Sequence, residues 1–214
     1  MNKSLRSQSG PTPGERGSCS RPGILLDRDG TIIVDHGYVG SVDRVEFIEG
    51  SAAAIASFNR AGIPVAVVTN QAGVARGFYD IGDVAQVHRY IGDCLAAHEA
   101  HIDLFLYCPY HPEGVVDGFA RTSEDRKPKP GMAKAAAAAL NLDLAASWVI
   151  GDRPEDLGLA AAVGASAIYL GPEGPGLEGP GLEGPGLEGG AHPGIRSFPS
   201  LAEAAPFVLE RMAG

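Results

Sequence analysis

Five short apolar runs alternate with stretches of helical character, and this alternation constrains the fold of the 214-residue chain more than any other feature. The runs are Gly23–Leu26 before Asp27, Ile63–Val68 before Thr69, Leu104–Tyr107 before Cys108, Trp148–Ile150 before Asp152, and Ala165–Leu170. They are β-branched in places and do not alternate apolar with polar, as expected of strands buried on both faces. Between them Ser51–Ala61, Val84–His98, Gly131–Leu140 and Glu155–Val163 read as helices. Leu201–Met212 reads as a closing helix starting near Pro199 or Ser200. Alternation on this scale predicts an α/β fold: a doubly wound, mostly parallel sheet with helices on each side. In such sheets the ligand crevice lies beyond the carboxyl ends of the strands. Three of the runs lead into Asp27, Thr69 and Asp152, so these residues are expected around one crevice.

Residues 1–22, rich in Ser, Gly, Pro and Arg and lacking an apolar core, read as a disordered leader and not as a secretory signal. Residues 23–214 read as one domain, 44% of the chain being hydrophobic. Within that domain, residues 171–190 are a tandem Gly-Pro-Gly-Leu-Glu repeat, too apolar-poor for a solenoid, and are expected to form a flexible surface loop. Three irregularly spaced cysteines suit a reducing compartment. No apolar run approaches the roughly 18 residues of a membrane span. The expectation is a cytoplasmic protein, monomeric, with no membrane partner. A net charge of −9 and a pI near 5.1 argue against nucleic acid as a partner. An anionic metabolite would then need locally gathered cations or a metal.

Asp27-Arg28-Asp29-Gly30-Thr31 follows the first run. Two aspartates one residue apart can aim at the same point where a strand opens into a loop. The first can attack phosphorus as a nucleophile. The second can protonate the leaving oxygen and later take a proton from water. By itself the motif is equally an acidic turn, and its weight comes from three companions. Thr69 and Asn70 offer a hydroxyl and backbone N–H groups suited to phosphoryl oxygens. Arg126-Lys127-Pro128-Lys129-Pro130-Gly131 offers cations on a stiffened approach to a helix. Gly151-Asp152-Arg153-Pro154-Glu155-Asp156 offers carboxylates after another strand. Asp27 and Asp152 supply the few oxygen ligands that Mg²⁺ usually takes from protein.

In this order the four motifs resemble those of the haloacid dehalogenase superfamily of phosphatases, over about Gly23 to Met212. Leu26 to Ile32, Asp35-His36-Gly37-Tyr38-Val39, Thr69 to Gly77 and Cys108-Pro109 through Pro128 are similar to the heptose 1,7-bisphosphate 7-phosphatases, a subfamily related to histidinol phosphatases. The resemblance implies a capless phosphatase working through an aspartyl-phosphate, with Asp27 as nucleophile and Asp29 as acid/base. It implies Mg²⁺ held by Asp27, the Asp29 main-chain carbonyl and Asp152, with Thr69 and Lys127 stabilising the phosphoryl group. Asp35, His36, Gly37, Tyr38, Asn70, Gln71, Ala72, Arg126 and Arg153 would meet a small phosphorylated sugar. The C7 phosphate of D-glycero-D-manno-heptose 1,7-bisphosphate is the expected target, with histidinol phosphate or another sugar phosphate as the alternative. Arg153 stands where the family commonly has Lys. A phosphomutase or a silent scaffold is the competing class.

One departure concerns the loop from Cys108 to Arg126, where the family often binds a structural zinc through C-x-H…C-x-C. Here those positions read Cys108, Tyr110, Ser123 and Asp125, with His111 one place late. Zinc wants four N or S ligands, so structural Zn²⁺ is expected to be absent. The loop would depend instead on Pro109, Pro112 and packing of Tyr110 and Phe119. His88, His98 and His101 read as surface or hydrogen-bonded positions, and Cys94 as core.

Overall fold

The computed structural model describes residues 20–171 and 195–213. Most of the expected leader and nearly all of the expected repeat loop lie outside the described residues. Six strands, β1 (Ile24–Leu26), β2 (Val65–Asn70), β3 (Leu104–Cys108), β4 (Trp148–Gly151), β5 (Ser166–Leu170) and β6 (Arg196–Phe198), form one sheet in the order β3-β2-β1-β4-β5-β6. Every pairing is parallel. The helices are α1 (Ser51–Arg60), α2 (Ile81–Ala96), α3 (Gly131–Leu140), α4 (Pro154–Val163) and α5 (Leu201–Ala213). β6 was not foreseen: Arg196-Ser197-Phe198 carries two exposed residues, as befits an edge strand without an apolar run. α2 starts three residues earlier than its apolar pattern suggests. Asp80 caps it by accepting from the N–H groups of Gly82 (2.6 Å) and Asp83 (3.0 Å), and Asp83 returns a bond to the Asp80 N–H.

Side chains alternate across the sheet and separate the core into two layers. Ile24, Leu26, Val65, Val67 and Ile150 pack against α1, α2 and α5. Leu25, Ala66, Val68 and Val149 pack against α3 and α4, where Ala133 and Ala136 allow a close helix–sheet approach. Winding reverses between β1 and β4, neighbours in the sheet though not in sequence. That switch point fixes the crevice at the ends of these two strands. Among the described residues, β1 and α1 are joined by a loop holding a single 3₁₀ turn, Val42–Arg44, and no large cap covers the crevice.

His88 departs from the expectation of a surface or hydrogen-bonded position. It is buried on α2, stacked on Phe105 with ring centroids 4.8 Å apart, and its Nε2 has no hydrogen-bond partner among the described residues. Burial, helped by the charge of Arg28, pushes its pKa down from 6.5 to about 3. Between those values the unfolded chain binds a proton that the fold refuses, so stability falls as pH drops, by up to about 1.4 kcal/mol per pH unit. His88→Phe is expected to flatten this slope. Urea unfolding of both proteins between pH 7 and pH 4 checks it, and parallel slopes would overturn the assignment.

Candidate active site

Asp27 sits one residue past β1, and its N–H donates to the Ile150 carbonyl (3.0 Å), which extends the β1–β4 ladder to Asp27 itself. Asp27 Oδ1 accepts from the Arg28 N–H (2.7 Å) and lies 2.9 Å from Lys127 Nζ. Asp27 Oδ2 has no donor among the described residues. Lys127 Nζ also reaches Asp156 Oδ1 at 2.6 Å, while Asp156 Oδ2 accepts from the Arg153 N–H at 3.1 Å. Lys127 and Asp156 are almost fully buried. The two carboxylates raise the Lys127 pKa against the opposing effect of burial, so the ammonium stays charged. Burial, opposed by Lys127, pushes the Asp156 pKa up. Two glycines make the close approach possible. A Cβ on Gly151 would overlap Asp156, and one on Gly30, whose φ is +78°, would overlap Asp152.

Asp29 lies beside this corner with its carboxylate gripped from behind. Arg28, fully buried, holds both oxygens through Nε and one terminal nitrogen at 2.9 to 3.2 Å. Gln71 Nε2 donates to Asp29 Oδ2 (2.9 Å) and to Thr69 Oγ1 (2.9 Å). Burial raises the Asp29 pKa, Arg28 opposes it, and the neighbouring Asp27 charge adds to the rise. A carboxyl held this way can carry a proton more readily than an exposed one.

The crevice encloses about 580 Å³ and is lined by Asp27, Asp29, Thr69 and Lys127 together with Asp35, Gly37, Tyr38, Asn70, Gln71, Ala72, Arg126 and Arg153. Most of the expected site therefore converges, but three residues are used differently. His36 does not line the crevice: it is exposed, and its Nε2 pairs with Glu46 at 2.9 Å on the outside of the loop. The cause is local, because Asp35 Oδ1 accepts from the Gly37 N–H (2.8 Å) and closes a turn that throws His36 outward. The Asn70 amide is engaged with the Lys127 backbone, accepting from its N–H (3.0 Å) and donating to its carbonyl (3.1 Å). The Gln71 side chain is buried among protein partners. Asp35 Oδ2 takes Arg153 at 2.6 Å across the mouth of the crevice.

A family model described as HAD-hydrolase-like matches residues 125–171. The D-glycero-beta-D-manno-heptose-1,7-bisphosphate 7-phosphatase of Escherichia coli strain K12 is 43% identical over 143 residues, 67% of this chain and 75% of that protein. The protein of the same name from Yersinia pestis is 41% identical over 151 residues, 70% of this chain and 80% of that protein. The chain belongs to the haloacid dehalogenase-like phosphatases. A crystal structure of D,D-heptose 1,7-bisphosphate phosphatase from B. bronchiseptica, complexed with magnesium and phosphate, superposes on this haloacid dehalogenase-like chain with a TM-score of 0.70. That pair shares 33% identity, over 88% of this chain and 98% of the other. As a member of this group the chain is a phosphomonoester hydrolase.

The B. bronchiseptica relative is complexed with magnesium and phosphate, and the acidic corner of this chain fits a divalent cation. Oxygens of Asp27, Asp152 and Asp156 lie within 4.8 Å of one another. Asp152 Oδ1 is buried with no hydrogen-bond partner among the described residues, and burial with the Asp27 charge pushes the Asp152 pKa up to about 6. An unpaired acceptor beside a second carboxylate is what a divalent cation would satisfy. Both oxygens of Asp156 are already taken by Lys127 and Arg153, so Asp27 and Asp152 are the available pair. The Asp29 carboxylate is equally occupied, by Arg28 and Gln71.

In the Cys108–Arg126 loop, Tyr110 stacks on Phe119 (5.9 Å), and the Arg121 guanidinium lies 3.9 Å from the Tyr110 ring centre. His111 Nδ1 accepts from the Glu113 N–H (3.1 Å). Several contributors were not foreseen. Asp156 had a sequence signal, an acidic residue three places after the residue that caps a helix, Arg153. Arg44, which donates to the carbonyls of His36, Gly37 and Tyr38, had none, and neither did Tyr79 as a crevice residue; Arg76 lies in the Thr69–Gly77 segment that carries the resemblance, and His111 reads in the sequence only as a candidate zinc ligand.

Proposed function

We propose that the chain removes one phosphate from a sugar bisphosphate, the C7 phosphate of D-glycero-D-manno-heptose 1,7-bisphosphate. The observation that carries this reading is the charge layout of the crevice. Besides the Asp27–Lys127 corner, it holds Arg76, Arg126 and Arg153. A substrate with a second anionic group suits these cations, and the relatives named above act on such a compound.

In the proposed mechanism Asp27 Oδ2 attacks phosphorus and the bond to the sugar oxygen breaks. Asp29 gives its proton to that oxygen, and an aspartyl-phosphate forms on Asp27. Asp29, now ionised, takes a proton from water as the water oxygen attacks phosphorus. Inorganic phosphate leaves, and both carboxyl groups return to their starting states. Lys127 and the Thr69 hydroxyl hold the phosphoryl oxygens through both steps. Mg²⁺, held by Asp27, Asp152 and the Asp29 main-chain oxygen, supplies further positive charge against those oxygens. Arg126 and Arg153 bind the rest of the sugar phosphate. Arg153 must loosen its bond to Asp35 to do so.

Initial rates on the heptose bisphosphate and on histidinol phosphate, measured side by side with Mg²⁺, test the substrate. A preference of about 10²-fold or more for the bisphosphate is expected, since leaving buried or clustered cations without their anion costs about 2 to 3 kcal/mol. Equal or faster turnover of histidinol phosphate would transfer the chain to that activity.

A further inference from the structure

Behind Asp29 lies a network that the reaction above does not use. Tyr79 O–H donates to Gln71 Oε1 at 2.7 Å, and an Arg28 terminal nitrogen donates to the same oxygen at 3.1 Å. Gln71 Nε2 then donates to Asp29 and to Thr69. All four hydrogen-bonding positions of this amide are filled. Arg28 can only donate, so turning the amide over would set an N–H₂ group against a guanidinium. Gln71 is thereby held with its donors toward the acid/base and the phosphoryl-binding hydroxyl. The Tyr79 ring is itself fixed, because it fills the space where side chains on Gly40 and Gly73 would stand. Burial raises the Tyr79 pKa to about 12, so its proton remains for donation.

We infer that Tyr79 and Gln71 are positioning residues that set the Asp29 carboxyl relative to the leaving oxygen, Tyr79 acting through Gln71. Arg28 does not set it alone, since a guanidinium fork fixes the carboxylate in their common plane and leaves it freer to tilt out of that plane. A third donor on Oδ2 from a separate element, the segment after β2, removes that freedom. The same amide ties Asp29 to Thr69, so proton donor and phosphoryl holder keep a common register. Arg28 also donates to the Val39 carbonyl (2.8 Å), and Gly40 abuts Tyr79, which anchors the network to the loop bearing Asp35 and Tyr38.

The inference rests on the reading of Asp29 as acid/base, and the test separates the two. A sugar oxygen leaves poorly without a proton, whereas p-nitrophenolate leaves well without one. Tyr79→Phe keeps the ring in its slot and removes only the donor. Its kcat on the heptose bisphosphate is expected to fall about tenfold with KM within about twofold, the weight of one hydrogen bond felt in the transition state. The pre-steady-state burst of p-nitrophenolate from p-nitrophenyl phosphate, which reads the first step alone, should fall much less. Gln71→Leu should cost about 10²-fold on the sugar substrate. The double variant should be no slower than Gln71→Leu alone, because Tyr79 has nothing left to act through. Equal losses on both substrates, a loss carried by KM, or losses that multiply in the double variant would overturn the inference. Asp29→Asn is the reference: if it lacks leaving-group selectivity, the acid/base reading itself falls. If it shows that selectivity and Tyr79→Phe does not, only the positioning role falls.

Discussion

Asp27→Asn is expected to reduce phosphate release by about 10⁴-fold or more, the scale seen when a nucleophile is removed from a preorganised site. The substitution is nearly isosteric, and the fold should tolerate it. An amide oxygen in place of Oδ1 can still accept from the Arg28 N–H at 2.7 Å, and Lys127 keeps Asp156 at 2.6 Å. One negative charge also leaves a corner where Asp27 helps to raise the Asp152 pKa. The metal-free variant should therefore unfold within about 1 kcal/mol of the parent. Mg²⁺ should then raise the melting temperature of the parent more than that of the variant, because one of its two carboxylate ligands is gone. Phosphate release and melting curves with and without Mg²⁺ check both parts. Turnover near that of the parent would refute the nucleophile assignment.

The two aspartates and the strand ends were legible in the sequence because their geometry is local. A strand that runs into Asp-Arg-Asp-Gly brings both aspartates to one strand end, and the switch point between β1 and β4 follows from strand–helix alternation. What was hidden is how partners are shared across loops. Asn70 and Gln71 read as substrate contacts by their position after Thr69, and both line the crevice. Their amides also meet Lys127 and Asp29, which the folded arrangement of β2 with the 126–130 segment and with the loop after β1 reveals. Arg28 shows the limit from the other side. Nothing in the sequence marks Arg28 as a core residue, yet it is fully buried: Asp29, Gln71 and the Val39 carbonyl receive its Nε and Nη2 donors, while Nη1 has no partner among the described residues. His36 was misplaced by a single turn closed through Asp35, a contact no periodicity encodes.

Lys127→Met should have the largest effect on stability. The ammonium faces two buried carboxylates, Asp27 at 2.9 Å and Asp156 at 2.6 Å. Methionine fills much of the same volume but leaves both anions without a counter-charge, a change that typically costs about 3–5 kcal/mol. The sign of the pH dependence follows. Burial already holds the Asp156 pKa up, at about 7, and losing Lys127 raises it further. The variant's folded state then binds protons that its unfolded state, with ordinary carboxyl groups, releases. Its stability deficit is greatest above the variant's raised Asp156 pKa and shrinks on acidification toward and below about pH 7. Urea unfolding at pH 8 and pH 5 measures this, and a deficit that grows toward pH 5 would contradict the assignment. Lys127→Met/Asp156→Leu separates structure from catalysis. Removing both members of a buried ion pair can be close to neutral for stability, so the double variant should recover much of the lost stability. It should not recover turnover, since among the described residues no other ammonium stands beside Asp27 to hold the phosphoryl group.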